Sequence, residues 1–535
     1  MRKRFLSVIA VACTAAIALG GCASSNNNNN NGGGDAASEK SDLVIGMALG
    51  DLATLDPARV LADAMQLVIP LYSDTLVDVD QDDPRKIVPA IATEWEVSDD
   101  LKTYTFTLRD DVTFPSGNKL TAEDVKFSLM RIKNVQGASA FKMGNVEKID
   151  AVDETTVVFT LTGADSSFPS RMTAPYLAIL DSKTLQENGG VADETAVDTD
   201  TAQEFLDTTT VGTGAYELSK WSRNADIVFT ASDSYWGEEP TFQTITIRDI
   251  RDASTQRQLV EKGDIDIAMD IDPDTAASLE KAAGVKVVKE QSFNLNYIAI
   301  GNTAANPELQ DQRVRQAIQA AIDYDGISAA LADGAPRPAA VVPIGFLGAD
   351  GVDPVQTDLE RAKALMKEAG VSDMSIDVTY ANVTWYGVSQ QALWEKMKAD
   401  LAQIGITLNL VPAEYANWIA AYRAQELSLT SGLWAPEDFD SSSYFDPFGR
   451  EEGIYGVRTK MTFPIGQELY TQYLSEKDAD KREDIAVELI TAMRDNATLI
   501  PIVQPNKIFV HSDQIDNVRY SPDAQLRISD ITAAQ

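Results

Sequence analysis

Between residues 357 and 411 the apolar pattern switches period three times, and that alternation leaves few architectures open. Residues 357–369 repeat apolar side chains at helical spacing, with Leu359, Ala362, Leu365 and Met366 on one face. Thr357 and Glu360 stand at capping-box spacing, and Gly370 marks the stop. Residues 376–380 read as a strand. A second helix is predicted over 388–404, with Leu393, Met397, Leu401 and Ile404 on one stripe and Gly405 closing it, and 406–411 is strand again. An earlier series does the same: strand 244–250, helix 254–262, strand 266–269, helix 274–283, strand 285–289. Helix and strand in such succession imply crossover units and an α/β chain. Two such series predict two lobes facing a cleft. With no internal repeat and no long interior linker, the lobes are expected to be interwoven. Nearer the start, 104–109 alternates like a half-buried strand, and Thr121 is the expected cap of a helix reaching about Lys133.

The N-terminus reads as an export signal. Arg2, Lys3 and Arg4 precede an apolar run over 5–19 that ends in Leu19-Gly20-Gly21-Cys22. The ending resembles a bacterial lipobox, so residues 1–21 are expected to be removed and Cys22 to carry the lipid. Residues 22–42 are Asn, Gly, Ser and Ala in the main and have little to bury, so they are expected to act as a tether reaching roughly 25 Å. Cys13 would leave with the signal, and Cys22 alone cannot close a disulfide within the chain. Stability must then come from a large core, split into two or three domains on the usual size range. The net charge of −36 excludes nucleic acid as a partner, because phosphate binding needs basic surface. No segment after the signal reaches 18 apolar residues, so contact with the membrane is expected through the lipid only.

Several short blocks carry a family resemblance in register over about 44–510. They are Leu55-Asp56-Pro57, the stretch 71–77 (LYSDTLV), Pro89-Ala90-Ile91-Ala92, Trp95 to Asp100, and the long block 103–128 with its Leu120-Thr121-Ala122-Glu123-Asp124-Val125. Gly212-Thr213-Gly214-Ala215-Tyr216, Tyr235-Trp236-Gly237 and 311–323 complete the series. The chain thus resembles the extracytoplasmic solute-binding proteins of the peptide and nickel importer group, family 5. The resemblance implies a two-lobed periplasmic-binding-protein fold of type II, cluster C, with an extra domain inserted in the first lobe. It places the first lobe at 43–297 plus 503–535, the insert at about 86–205 and the second lobe at 298–502, with crossings near 296–301 and 499–504. It also implies a monomer on the outer face of the cytoplasmic membrane, at the cell surface or in the periplasm. There it would capture a solute by lobe closure and deliver it to an ABC permease and ATPase.

Peptide-binding relatives carry a Trp-x-x-Asp segment whose acid meets the peptide α-ammonium. The matching stretch here is 434–440, where Trp434 leads and Glu437 falls on the acid position, with Asp438 and Asp440 close by. A buried carboxylate suits an ammonium because charge-assisted hydrogen bonds are short and strong. The chain departs from the pattern with Glu for Asp and with Ser441 where proline often follows. A solvated acidic loop is the competing reading of the same run. Trp385 and Tyr386 are candidate walls of the cleft, while Trp418 fits core packing equally well. Asn294 and Tyr297, next to an expected crossing, are further candidates, although their strand needs a core face too.

Catalytic chemistry is thin. His511 is the only histidine and stands near the C-terminus, and no nucleophile elbow, phosphate loop or paired-histidine zinc motif occurs. The run 78–82 starts like a calcium loop but has Asp83 at the glycine position and Pro89 at the glutamate position, so it is expected to be a solvated acidic turn. Neither a cofactor nor a metal is expected. The leading expectation is a peptide-capturing component of an importer. The alternatives are the same machinery for an oligosaccharide or a metal chelate, a sensor or adhesin on the same fold, and, remotely, an envelope hydrolase.

Overall fold

The computed structural model describes residues 40–50, 52–436, 438–521 and 525–534. The expected signal, Cys22 and nearly all of the tether lie outside them. Among the described residues three sheets carry the fold. The first has seven strands in the order Val285–Gln291, Asn506–Ser512, Ile267–Ala268, Asp42–Met47, Thr244–Asp249, Asp226–Ala231, Tyr216–Trp221. The second has five: Ile406–Ala413, Met374–Ala381, Leu429–Trp434, Leu295–Ile300, Leu499–Val503. Ala92–Val97, Thr103–Leu108, Thr156–Leu161 and Val146–Ala151 form an antiparallel four-stranded sheet with its own core around Phe106, Phe159 and Phe168. The series read between 357 and 411 is a parallel crossover: Met374–Ala381 lies parallel to Ile406–Ala413, with the helix Gln390–Ala402 between them in sequence. The helix over 359–369 is capped by Asp358, whose carboxylate accepts the Arg361 N–H, and not by Thr357. Thr357 instead donates its hydroxyl to the Ile322 carbonyl.

The chain passes between the first and second sheets twice. It leaves Val285–Gln291 and enters Leu295–Ile300 through Ser292, Phe293 and Asn294, and it returns from Leu499–Val503 to Asn506–Ser512 through Gln504 and Pro505. The crossings therefore sit a few residues from 296–301 and 499–504, which are mostly strand in the second sheet. The two passages are stitched together. The Gln504 amide donates to the Ser292 carbonyl (2.8 Å), its oxygen accepts the Ile344 N–H (2.8 Å), and the Ser292 hydroxyl donates to the Pro505 carbonyl (2.6 Å). Ser292 and Gln504 are wholly buried.

The family blocks converge on two carboxylates, Asp56 wholly buried and Asp74 partly so. Asp56 of Leu55-Asp56-Pro57 receives both terminal nitrogens of Arg131, at 2.8 and 2.6 Å. Arg131 stands on the buried face of helix Ala122–Val135 and also donates twice to Asp200, at 2.7 and 2.8 Å. Asp74, in the 71–77 block, accepts from the Thr213 hydroxyl (2.7 Å) and from Trp236 Nε1 (2.9 Å). Gly212 and Gly214 frame Thr213 because a Cβ at either would stand 2.2–2.8 Å from atoms of Tyr72 and Ser73. Burial drives the Asp74 carboxyl up to about 6, and its two hydrogen bonds pull against that rise. Asp78, expected in a solvated turn, forms a two-pronged pair with Arg527 at 2.8 and 2.5 Å.

Two predictions follow from these nodes. Arg131→Met leaves Asp56 and Asp200 with the partly exposed Arg59 as their one remaining cation among the described residues and is expected to lower stability by about 3 kcal/mol in chemical denaturation. Arg131→Lys should recover little, since an ammonium cannot fork to both partners. Asp74 binds its proton more tightly in the folded chain than in the unfolded one, so stability should fall as pH rises from 3.8 to about 6. Asp74→Asn keeps an acceptor for Thr213 and Trp236 and should flatten that stretch of a Tm-against-pH profile.

Candidate functional site

A cavity of about 310 Å³ opens between the four-stranded subdomain and the second lobe. The subdomain supplies Phe141 and Lys142 from the turn Ala140–Met143, Asn145, Asp165, and Arg171 at the end of Phe168–Arg171. The second lobe supplies Trp434, Asp438, Ser443, Asp446, Arg450 and Tyr470. Strand Leu429–Trp434 ends at the cavity, and the chain leaves the sheet through Pro436. Asp438 and Asp440 then bend the backbone by accepting the N–H groups two residues on, at 3.3 and 2.9 Å. Helix Ser442–Phe448 follows and sets Ser443 and Asp446 on the cavity wall.

Three cations and three carboxylates line the space, and they are matched. Lys142 reaches across from the subdomain to Asp438 (2.8 Å), and both side chains are about 5% exposed. The Ser443 hydroxyl also donates to Asp438. Arg171 donates to Asp165 (2.7 Å) and to Asn145 (2.7 Å), and Arg450 Nε donates to Asp446 (2.7 Å). Burial pushes the Asp438 carboxyl up, but the Lys142 ammonium, the Ser443 hydroxyl and the more distant Arg171 outweigh it and hold it below the usual carboxylate range. The indole Nε1 of Trp434 is buried without a hydrogen-bond partner. Its ring meets Phe448 and Tyr455 edge-on at 5.4 and 5.5 Å.

Other contacts tie the same two bodies. Ser166 donates its N–H to the Leu474 carbonyl (2.7 Å) and its hydroxyl to the Tyr473 carbonyl (3.2 Å). Lys477 pairs with Asp99 at 3.1 Å on the surface. The Gln66 amide donates to the Pro436 carbonyl at 3.1 Å, joining the first lobe to the same segment.

The candidates read from sequence are distributed unevenly. Trp434 and Asp438 share the cavity. Asp440 is drawn back into its own lobe by Arg482 (2.7 Å) and by the Tyr473 hydroxyl (3.0 Å). Glu437 lies outside the described residues. Tyr386 approaches the first lobe, with the Lys507 ammonium 5.2 Å above its ring, and Trp385 leans on Trp418 at 5.8 Å. Trp418 itself is buried, donating to the Thr430 hydroxyl at 2.8 Å. Tyr297 is core, set edge-on against the stacked rings of Phe448 and Tyr455, and Asn294 is buried in a crossing. His511 is buried and shares a 2.8 Å hydrogen bond with the Ser512 carbonyl. Among the described residues no group of three His, Cys, Asp or Glu side chains is placed to hold a metal, and no helix is long and apolar enough to cross a membrane.

Sequence reasoning passed over Lys142, Arg171 and Arg450. Lys142 stands 296 positions from its partner, so no local spacing links them. Its one signal is a lone charge between Phe141 and Met143.

The model of the bacterial extracellular solute-binding proteins, family 5, middle region, matches residues 86–456. The chain belongs to that family. It is 27% identical to the dipeptide-binding protein of Escherichia coli K12 over 464 residues, covering 81% of this chain and 82% of that one. Among solved structures it is similar to the Helicobacter pylori periplasmic binding protein DppA in complex with the peptide STSA, with a TM-score of 0.75 at 21% identity over 92% of this chain and 98% of that one. It is equally similar to the binding protein AgaA of A. tumefaciens in complex with agropinic acid, with a TM-score of 0.76 at 21% identity over 92% and 99% of the two chains. The two-lobed architecture is therefore that of the family's binding proteins.

Lys142→Met leaves a buried carboxylate unpaired and should cost about 3–5 kcal/mol, whereas Lys142→Met with Asp438→Leu should recover most of the loss. The Asp438 carboxyl is depressed on folding, so its contribution is complete above 3.8 and fades as pH falls through the lower, folded value. Tm should accordingly drop less steeply below pH 3.8 in the double variant than in the parent chain.

Proposed function

We propose that the protein captures a short peptide between its lobes and delivers it to an ABC permease and ATPase. The observation that carries this reading is the charge balance of the interlobe cavity, where three cations face three carboxylates. A zwitterion enters such a space without adding net charge, while an ion of either sign leaves one charge uncompensated in a poorly solvated site. The relatives point the same way, since the Escherichia coli protein is named for dipeptide binding and the Helicobacter pylori protein holds a tetrapeptide. A volume of about 310 Å³ is at the small end for ligand pockets and favours two or three residues over a long chain.

In this reading the lobes are 40–291 plus 506–534 and 295–503, and they hinge at 292–294 and 504–505. Ligand stabilises the closed arrangement because only there does it touch both walls. Export by the signal and acylation at Cys22 would hold the protein outside the cytoplasmic membrane, with no enzymatic step of its own.

Native mass spectrometry of the body from Lys40 onward, purified without denaturation, tests the assignment. Bound masses matching di- and tripeptides are expected. A single bound mass fitting a sugar or a metal chelate would overturn the peptide assignment while leaving the solute-binding family intact.

A further inference from the structure

The interlobe cavity offers its ligand more donors than acceptors. Each lining carboxylate already has partners. Asp438 accepts from Lys142 and Ser443, and Asp446 accepts from Arg450. Asp165 receives Arg171, Asn145, and both the N–H and the hydroxyl of Ser167. Arg171 is different: its guanidinium spends one nitrogen on Asn145 and one on Asp165 and Ser167, and a planar fork of five N–H donors has more to give. Its direction is fixed, because Asp165 is wholly buried and Asn145 bonds to both members of the pair. Trp434, across the same cavity, carries a buried indole N–H that no described residue accepts. A buried donor without an acceptor costs about 1–3 kcal/mol, which a ligand oxygen would relieve.

We infer that the ligand is held by an oxyanion, and for a peptide by its terminal carboxylate, received at Arg171, with Trp434 Nε1 donating to a second acceptor of the same ligand. Arg171 sets the specificity for that end of the molecule, and Asp165 acts as its positioning residue. The inference rests on the interlobe cavity being the ligand site. It adds which end of the ligand meets the inserted subdomain. Lys142 has a separate part, as the internal ammonium on Asp438.

A chemical cycle tests it. The dipeptide Ala-Leu and its C-terminal amide are titrated calorimetrically into the full-length protein in detergent and into Arg171→Met. Amidation should weaken binding to the parent chain about 30-fold or more, the weight of a charge-assisted hydrogen bond, and binding to Arg171→Met less than about threefold. Equal penalties in both proteins would overturn the inference, and so would the absence of a penalty in the parent chain. Arg171→Lys keeps the charge without the fork and should show an intermediate penalty, and it replaces the Met variant should that one fail to fold. Trp434→Phe should weaken both peptides alike. If neither peptide binds, the peptide reading fails by itself, and N-acetyl-leucine and gluconate become the probes. Binding of either that Arg171→Met weakens about 30-fold sustains the oxyanion site, and binding of neither overturns it.

Discussion

Everything the two lobes can do depends on how the chain passes between them. Two short passages, 292–294 and 504–505, join the sheets, and Ser292 and Gln504 lace those passages to each other and to the loop around Ile344. A single linker would let the lobes swing freely. Two passages bonded side by side and buried act as one flexible strip with a defined axis. Side-chain hydrogen bonds suit this place better than a continuous ladder, since they bend with small changes in backbone angle. The cavity walls come from parts of the chain that meet only because this strip brings the bodies together.

Charge organisation continues the theme. The surface is strongly acidic, yet several buried acids meet an arginine or a lysine, and three such pairings fall at junctions. Arg131 joins the 55–57 turn to the inserted subdomain, Arg171 fixes the subdomain edge that faces the cleft, and Lys142 crosses to the second lobe. Buried ion pairs contribute little net stability compared with apolar packing, but a mismatched one is costly. Such pairs therefore penalise wrong arrangements of the bodies more than they reward the right one. For a protein that must close in one register over a small solute, that asymmetry is useful.

Much of this was readable in the residues. The helix–strand series over 357–411 appears as a parallel crossover, and the cap of its first helix falls one residue later than expected because the Asp358 carboxylate, not Thr357, takes the free N–H of Arg361. The family blocks were legible as a pattern, and the structure supplies their reason in the meeting of Asp74, Thr213 and Trp236 and in the two-sided grip of Arg131. The site was legible only in part. Trp434 and Asp438, which line the cavity, sit in one recognisable segment. Lys142 was not legible, because a pair joined across nearly three hundred residues leaves no periodicity, and Arg171, six residues from Asp165, lies in none of the recognisable blocks. Tyr297 illustrates the opposite failure: it is next to a crossing in sequence, but its strand is buried on both faces, and the aromatic side facing Phe448 and Tyr455 claimed the ring.

The pairing of Asp438 with Lys142 changes how an acidic motif in such a cleft should be weighed. An acid in the segment after Trp434 suits a ligand ammonium, yet at Asp438 the ammonium belongs to the protein and arrives from the opposite body. A ligand cation would have to replace it at a site where the exchange gains nothing in charge. An oxyanion at Arg171 would share the guanidinium with Asp165 and need not displace it, because that carboxylate takes one nitrogen of the fork and has three other donors of its own. The free energy of capture then comes from donors left over after the internal pairs are made. The pairs themselves hold those donors in position when the lobes meet.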